Sequence, residues 1–160
     1  MRSAEAFPGG VVLSVDVGTV RTGVAACDPG RILAYPVETV PAGDGMVARV
    51  AELADEYGAA VVVVGYPLGL DGQPGLSAQD VVRQARRLAG KLTVPVWLVD
   101  ERLSTAQAQR RLHEAGRTVK TSRGVVDTLA AVGILESVLN ALSQGHVIGR
   151  ELEAICGWSQ

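Results

Sequence analysis

Three carboxylates in this 160-residue chain stand where an ionised group needs a reason. Asp16 lies in the middle of "VLSVDVG", which reads as a core strand, and a charge there must be paired or bound to metal to offset its desolvation. Glu101 closes the apolar run "VPVWLVDE", at the carboxyl end of a second buried strand, the edge at which open α/β sheets hold their ligands. Asp127 falls in helical register with Ala130, Ala131, Ile134, Leu135 and Val138, on a stripe where Ala or Leu would be ordinary. Taken singly, each has a plain alternative: Asp16 bracing a hairpin, Glu101 capping the next helix, Asp127 pairing with an arginine. Taken together, on elements that abut in an α/β sheet, they suit a cluster of hard oxygen ligands for Mg²⁺ or Mn²⁺. An ion held there would lower the pKa of a bound water and neutralise negative charge beside it. No histidine joins them, since His113 faces outward on an arginine-rich helix and His146 lies near the end of the chain. Asp100 is next to Glu101, but strand alternation turns it to the other face.

The elements that must hold these groups follow from the apolar spacing. From Val11 to Val40, β-branched residues cluster around two turn signals, Gly18-Thr19 and Asp28-Pro29-Gly30, which predicts three antiparallel strands. Val47, Val50, Ala51, Leu53 and Ala54 predict a helix over Met46 to Tyr57 with Gly58 as its stop. "AAVVVVG" from Ala59 is apolar without alternation, the habit of a parallel strand covered on both faces. After a loop marked by Pro67, Gly69, Asp71-Gly72, Pro74 and Gly75, Val81, Val82, Ala85, Leu88, Ala89 and Leu92 predict a helix ending near Gly90. The strand ending at Glu101 comes next. A helix then opens on a capping box of Ser104 and Gln107, with Leu103 and Ala108 as its staple, and closes at Gly116. The last helix runs from about Arg123 to Leu142 behind Ser122 as N-cap. The sum is an α/β fold: a five-stranded mixed sheet, an antiparallel three-strand meander plus two parallel strands, flanked by helices. It forms one domain with a core over about 11–142 and a tail, 143–160, to which no role attaches.

Composition narrows the function classes. Hydrophobic residues at 48% and charged ones at 20% exclude disorder, collagen-like repeats and coiled coil. The longest apolar run, Ala59 to Val64, falls far short of the ~20 residues that span a bilayer, and "MRSAEAFPGG" lacks the apolar middle of a signal peptide. A soluble, cytoplasmic protein without membrane partners is expected. Cys27 and Cys156 have no CxxC or Cys/His spacing, so they read as free thiols. The net charge of −2 hides an uneven distribution: Arg83 to Arg123 holds ten bases against Asp100, Glu101 and Glu114, leaving five bases and fourteen acids elsewhere. A solvated helix face accounts for Arg83, Arg86 and Arg87. The cluster Arg102, Arg110, Arg111, Arg117, Lys120 and Arg123 points instead to a nucleic-acid partner. Phosphate contacts carry no base information, and aromatics at 4% leave little for stacking on single strands, so structured RNA or branched DNA is the expected substrate class.

The segments "VDVGTVRTGVA", "VVVGYPLGLDG", "VDERLSTAQA" and "VVDTLAAVGILES", in that order and spacing over roughly Val11 to Leu142, resemble the YqgF/RuvX family. The resemblance implies an RNase H-like fold related to the RuvC resolvases. It also implies that the acids of the first, third and fourth motifs, here Asp16, Glu101 and Asp127, are the catalytic residues and hold divalent metal. Arg21, Arg102, Arg110, Lys120 and Arg123 would hold the flanking phosphates. At Val20 the chain departs from the family's usual lysine, which leaves Arg21 as that loop's single positive charge. Two substrates are implied, the 5′ end of precursor 16S ribosomal RNA and the Holliday junction. RNA maturation ranks first, because a resolvase needs two sites about a two-fold axis, hence a homodimer, and no segment marks a dimer face. Two other classes compete. An actin-like or sugar-kinase ATPase would share the Asp-Gly-Thr hairpin but needs a second lobe, and a catalytically silent nucleic-acid-binding module leaves Asp127 without a purpose.

Overall fold

Strand β1 (Arg2–Ser3) precedes a meander of β2 (Val11–Asp16), β3 (Arg21–Cys27) and β4 (Ala34–Pro41). Then follow α1 (Met46–Glu56), β5 (Ala59–Tyr66), α2 (Ala78–Lys91), β6 (Val96–Asp100), α3 (Arg123–Ser143), β7 (His146–Val147) and β8 (Arg150–Glu151). The structure, a computed structural model, describes residues 2–3, 7–66, 78–100 and 123–152, with side chains at all of these except 2–3, 66 and 123–127. The predicted loop after Tyr66, the helix opened by Ser104 and the Ser122 cap lie outside the described residues.

The main sheet has the order β4-β3-β2-β5-β6-β8, with β2, β5 and β6 parallel. Both hairpins of the meander form where the turn residues stand. In the first, a side chain on Gly18 would run into the Arg21 carbonyl, so the close approach of the two strands requires glycine. In the second, Asp28 accepts backbone N–H bonds from Ile32 at 2.8 Å and Leu33 at 2.7 Å, and the Leu33 bond most of all holds its carboxyl below the usual range. Helix α1 stops as expected, with Gly58 at φ +63 in the left-handed conformation and its N–H bonded to the Asp55 carbonyl. Helix α2 runs one residue past Gly90, because the Leu92 N–H still reaches the Leu88 carbonyl at 2.8 Å.

One correction concerns strand number. The sheet has six strands rather than five: β8, from the stretch without a motif, pairs antiparallel with β6 through Trp97 and Leu98. It covers a hydrogen-bonding edge that β6 would otherwise present to water. A two-residue strand has no periodicity, so the sequence offered no sign of it.

The sheet separates two apolar layers. On one face Leu13, Val15, Val24, Val62, Val64 and Leu98 pack against α1 and α2. On the other Val12, Ala25, Val61, Val63, Trp97 and Val99 meet Ala131, Ile134, Leu135 and Val138 of α3, the predicted stripe. Val61 to Val64 are all fully buried, which is why their run shows no alternation. Phe7 packs edge-on against Trp97, ring centres 5.1 Å apart, at the edge where the parallel strands begin. Arg31 locks that same region by donating to the carbonyls of Gly10 and Pro8.

Candidate active site at the exit edge of the sheet

Asp16, Tyr66 and Asp100 are the last residues of β2, β5 and β6, so the three parallel strands end along one edge. The segments that leave this edge are the turn after Asp16 and the two motif-bearing stretches after Tyr66 and Asp100.

Strand alternation decides what shares Asp16's face. Val12, Ala25, Val61, Val63, Trp97 and Val99 face α3, and the same parity puts Ser14, Asp16, Arg21, Gly23 and Gly65 on that side. Asp16 pairs directly with Gly23 on β3. On its other flank Val15 pairs with Val64, so one step on Gly65 comes abreast of it. The half-buried carboxylate therefore stands between two positions that have no side chain. Asp100 has the opposite parity to Trp97 and Val99 and shares the face of Leu98. Arg21 opens β3 on the Asp16 face, half-buried, beside the exposed tip of Thr19 and Val20.

Helix α3 closes this face, and it runs antiparallel to β2. Its C-terminal end leads into β7, which pairs with β1 ahead of the entrance to β2, so its first turns lie toward the Asp16 end. A directional bond joins the two elements: the Ser14 hydroxyl, fully buried, donates to the Ala131 carbonyl at 2.6 Å. Asp127 is the fifth residue of α3, one turn before Ala131, and Arg123 is the first. Glu101, Arg102, Arg110 and Lys120 lie outside the described residues. Among the described residues no group of three His, Cys, Asp or Glu side chains is placed to hold a metal ion.

A family model described as "RuvX: Holliday junction resolvase" matches residues 10–141. The chain belongs to that family. Two curated proteins named "Putative pre-16S rRNA nuclease" share 48% identity with it. The one from Cutibacterium acnes aligns over 86% of this chain and 86% of its own length, and the one from Kineococcus radiotolerans over 88% and 77%. Among solved structures, T. thermophilus RuvC in complex with Holliday junction substrate superposes with a TM-score of 0.60, covering 88% of this chain and 99% of that one at 16% identity. That likeness shows the RNase H-like fold. The RuvX match includes Asp16, Glu101 and Asp127 and stops short of β7 and β8.

Sequence reasoning passed over Ser14, Gly23 and Gly65. Ser14 had a usable signal: a hydroxyl two residues before Asp16 in an apolar strand must share its face. Cys27 is a buried free thiol whose sulfur accepts the Val12 N–H at 3.2 Å, and burial pushes its pKa up, so it stays a protonated core residue.

Proposed function

We propose that this RuvX-family protein hydrolyses phosphodiester bonds with the help of Mg²⁺ or Mn²⁺ held by Asp16, Glu101 and Asp127, and that structured RNA at the 5′ end of precursor 16S rRNA is its substrate. Its family makes the protein a hydrolytic nuclease. The finer assignment rests on one observation: the central strand ends in a carboxylate between two glycines, on the face closed by the helix that carries Asp127. The donor set fits a hard divalent cation, because all three groups supply carboxylate oxygen and none supplies nitrogen or sulfur. When bound, such an ion lowers the pKa of the attacking water and neutralises charge on the scissile phosphate. Gly23 and Gly65 place no side chain beside Asp16, and Arg21, at the mouth of the same face, offers a backbone phosphate a fixed positive charge. Arg102, Arg110, Lys120 and Arg123 extend that contact along the substrate backbone. A cytoplasmic location accords with the free thiol of Cys27, and no described helix is long and apolar enough to cross a membrane.

The description of the family model supports a second substrate, the Holliday junction, whose resolution requires a homodimer with two sites about a two-fold axis. The purified protein, given Mn²⁺, is offered an RNA spanning the mature 5′ end of 16S rRNA with its leader, and a four-way DNA junction. Faster cleavage of the RNA, abolished by EDTA, is expected. Cleavage of the junction alone reverses the order of the two substrates, and cleavage that EDTA leaves untouched overturns the metal assignment.

A further inference from the structure

We propose that Ser14 is a positioning residue for the metal site: its hydroxyl fixes the height of α3 against β2, and so brings the turn that carries Asp127 level with Asp16. The inference rests on the assignment of Asp16 and Asp127 as ligands made above.

The bond from Ser14 Oγ to the Ala131 carbonyl spans 2.6 Å and joins residues 117 apart in sequence. The layer in which β2 meets α3 includes the apolar side chains of Val12, Leu135 and Val138, with Thr128, one turn before Ala131, as a buried polar neighbour on the helix. Apolar contact is non-directional, and a helix packed by it alone can slide by fractions of an ångström at little cost. A short hydrogen bond to one carbonyl sets a single height. From that point Asp16 lies two residues along the strand, about 6.6 Å toward the exit edge. Asp127 lies four residues back along an antiparallel helix, about 6 Å in the same direction. The two carboxylate-bearing positions thus reach the edge together because Ser14 and Ala131 are pinned. Metal coordination tolerates displacement of only about 0.2 Å in ligand distance, so an anchor one turn away is close enough to matter.

The anchor is also separable from stability. Ala131 lies inside α3, where its carbonyl accepts the helical N–H four residues on, so removing the Ser14 hydroxyl leaves no orphaned buried group. Ser14→Ala should therefore lower Tm by no more than about 2–4 °C.

The test is Mn²⁺ affinity of the full chain by titration calorimetry, read beside Tm without metal. Ser14→Ala is expected to bind Mn²⁺ about 10-fold more weakly than the parent, at the lower end of the loss seen for other groups that orient metal ligands. Ser14→Thr, which keeps the hydroxyl, is expected to bind within about threefold of the parent on the same reasoning. Val138→Ala, which opens a cavity two turns beyond Ala131, should lose more Tm yet keep its Mn²⁺ affinity. Equal binding by Ser14→Ala and the parent, while Asp16→Asn binds weakly, overturns the positioning role and leaves the metal site standing. Equal weakening in Ser14→Ala and Val138→Ala reduces Ser14 to ordinary packing and also overturns it. Parent binding that survives Asp16→Asn removes the metal site and this inference together.

Discussion

The two faces of β2 are built from alternate residues of one six-residue strand, and they do different work. Toward α1 and α2 it presents Leu13 and Val15, both fully buried in an apolar layer. Toward α3 it presents Val12, Ser14 and Asp16, a methyl-rich side chain, a hydrogen-bonded hydroxyl and a half-buried carboxylate in rising order of polarity toward the exit edge. The first face needs only volume and burial. The second passes from an apolar residue to a carboxylate at the exit edge within four residues, and the hydroxyl makes the transition without leaving an unsatisfied group. On the proposed assignment of Asp16, stability and chemistry are segregated by side-chain parity rather than by distance along the chain.

The largest expected effects test that segregation directly. Asp16→Asn should reduce metal-dependent cleavage by more than about 100-fold, since even a group that only orients a metal ligand costs about 10- to 100-fold when lost. Its Tm should stay close to the parent's or rise, since repulsion among the carboxylates is relieved. Retention of more than a few per cent of the parent rate would sink the assignment. Three residues away on the opposite face, Leu13→Ala should do the reverse and cost about 2–5 kcal/mol of stability through the cavity it leaves. Urea titration beside a cleavage assay at low temperature checks this: the activity per folded molecule should match the parent's. A Leu13→Ala protein that is stable but slow would show that the two faces are coupled.

How far the site was legible beforehand follows the same division. The meander and the α3 stripe announce themselves through period and the two covered parallel strands through unbroken apolar runs, because burial on one or two faces writes a pattern into Val11 to Val64, Val96 to Val99 and Ala130 to Val138. Asp16 and Asp127 were visible as violations of those patterns. Strand β8 was invisible, because what places it is pairing with Trp97 and Leu98, more than 50 residues earlier, and two residues cannot carry a period. Gly23 and Gly65 were visible as glycines, but their role depends on standing abreast of Asp16 across two strand pairings, a property of the sheet and not of either segment.

A smaller effect is expected at the mouth of the site. Arg21 shares the Asp16 face and opens β3, so Arg21→Ala should weaken nucleic-acid binding about equally for all sequences. Measured as log K against log[salt], the slope should become shallower by about 0.7–0.9, the loss of one phosphate contact. An unchanged slope would place the nucleic acid away from this hairpin and detach the basic residue from the acidic one beside it.

The smallest effect belongs to the opposite layer, where charge serves only to hold a helix on a strand. Arg49 of α1 grips Glu38 of β4 with both arms of its guanidinium, Nε to Oε2 at 2.8 Å and Nη2 to Oε1 at 2.7 Å, while also approaching Glu52 and Glu56. Hydrogen bonds from Arg49 hold the Glu38 carboxyl below its ordinary value of 4.5. A depressed folded-state value means the stabilisation is fully present above the unfolded value and is lost as pH falls through the folded one. Both side chains remain about one-third exposed, so water and salt weaken the pair. Glu38→Gln should accordingly lower Tm by about 1–3 °C at pH 7, and the gap between variant and parent should close as pH falls below 4.5 toward 3. Cleavage at pH 7 should be unaffected, because Glu38 lies on β4, two strands away from β2 and its Asp16, and its partner is on the α1 layer. A Tm gap that persists at pH 3 would assign the loss to packing at Glu38, and a change in cleavage rate would show that the α1 layer reaches the exit edge after all.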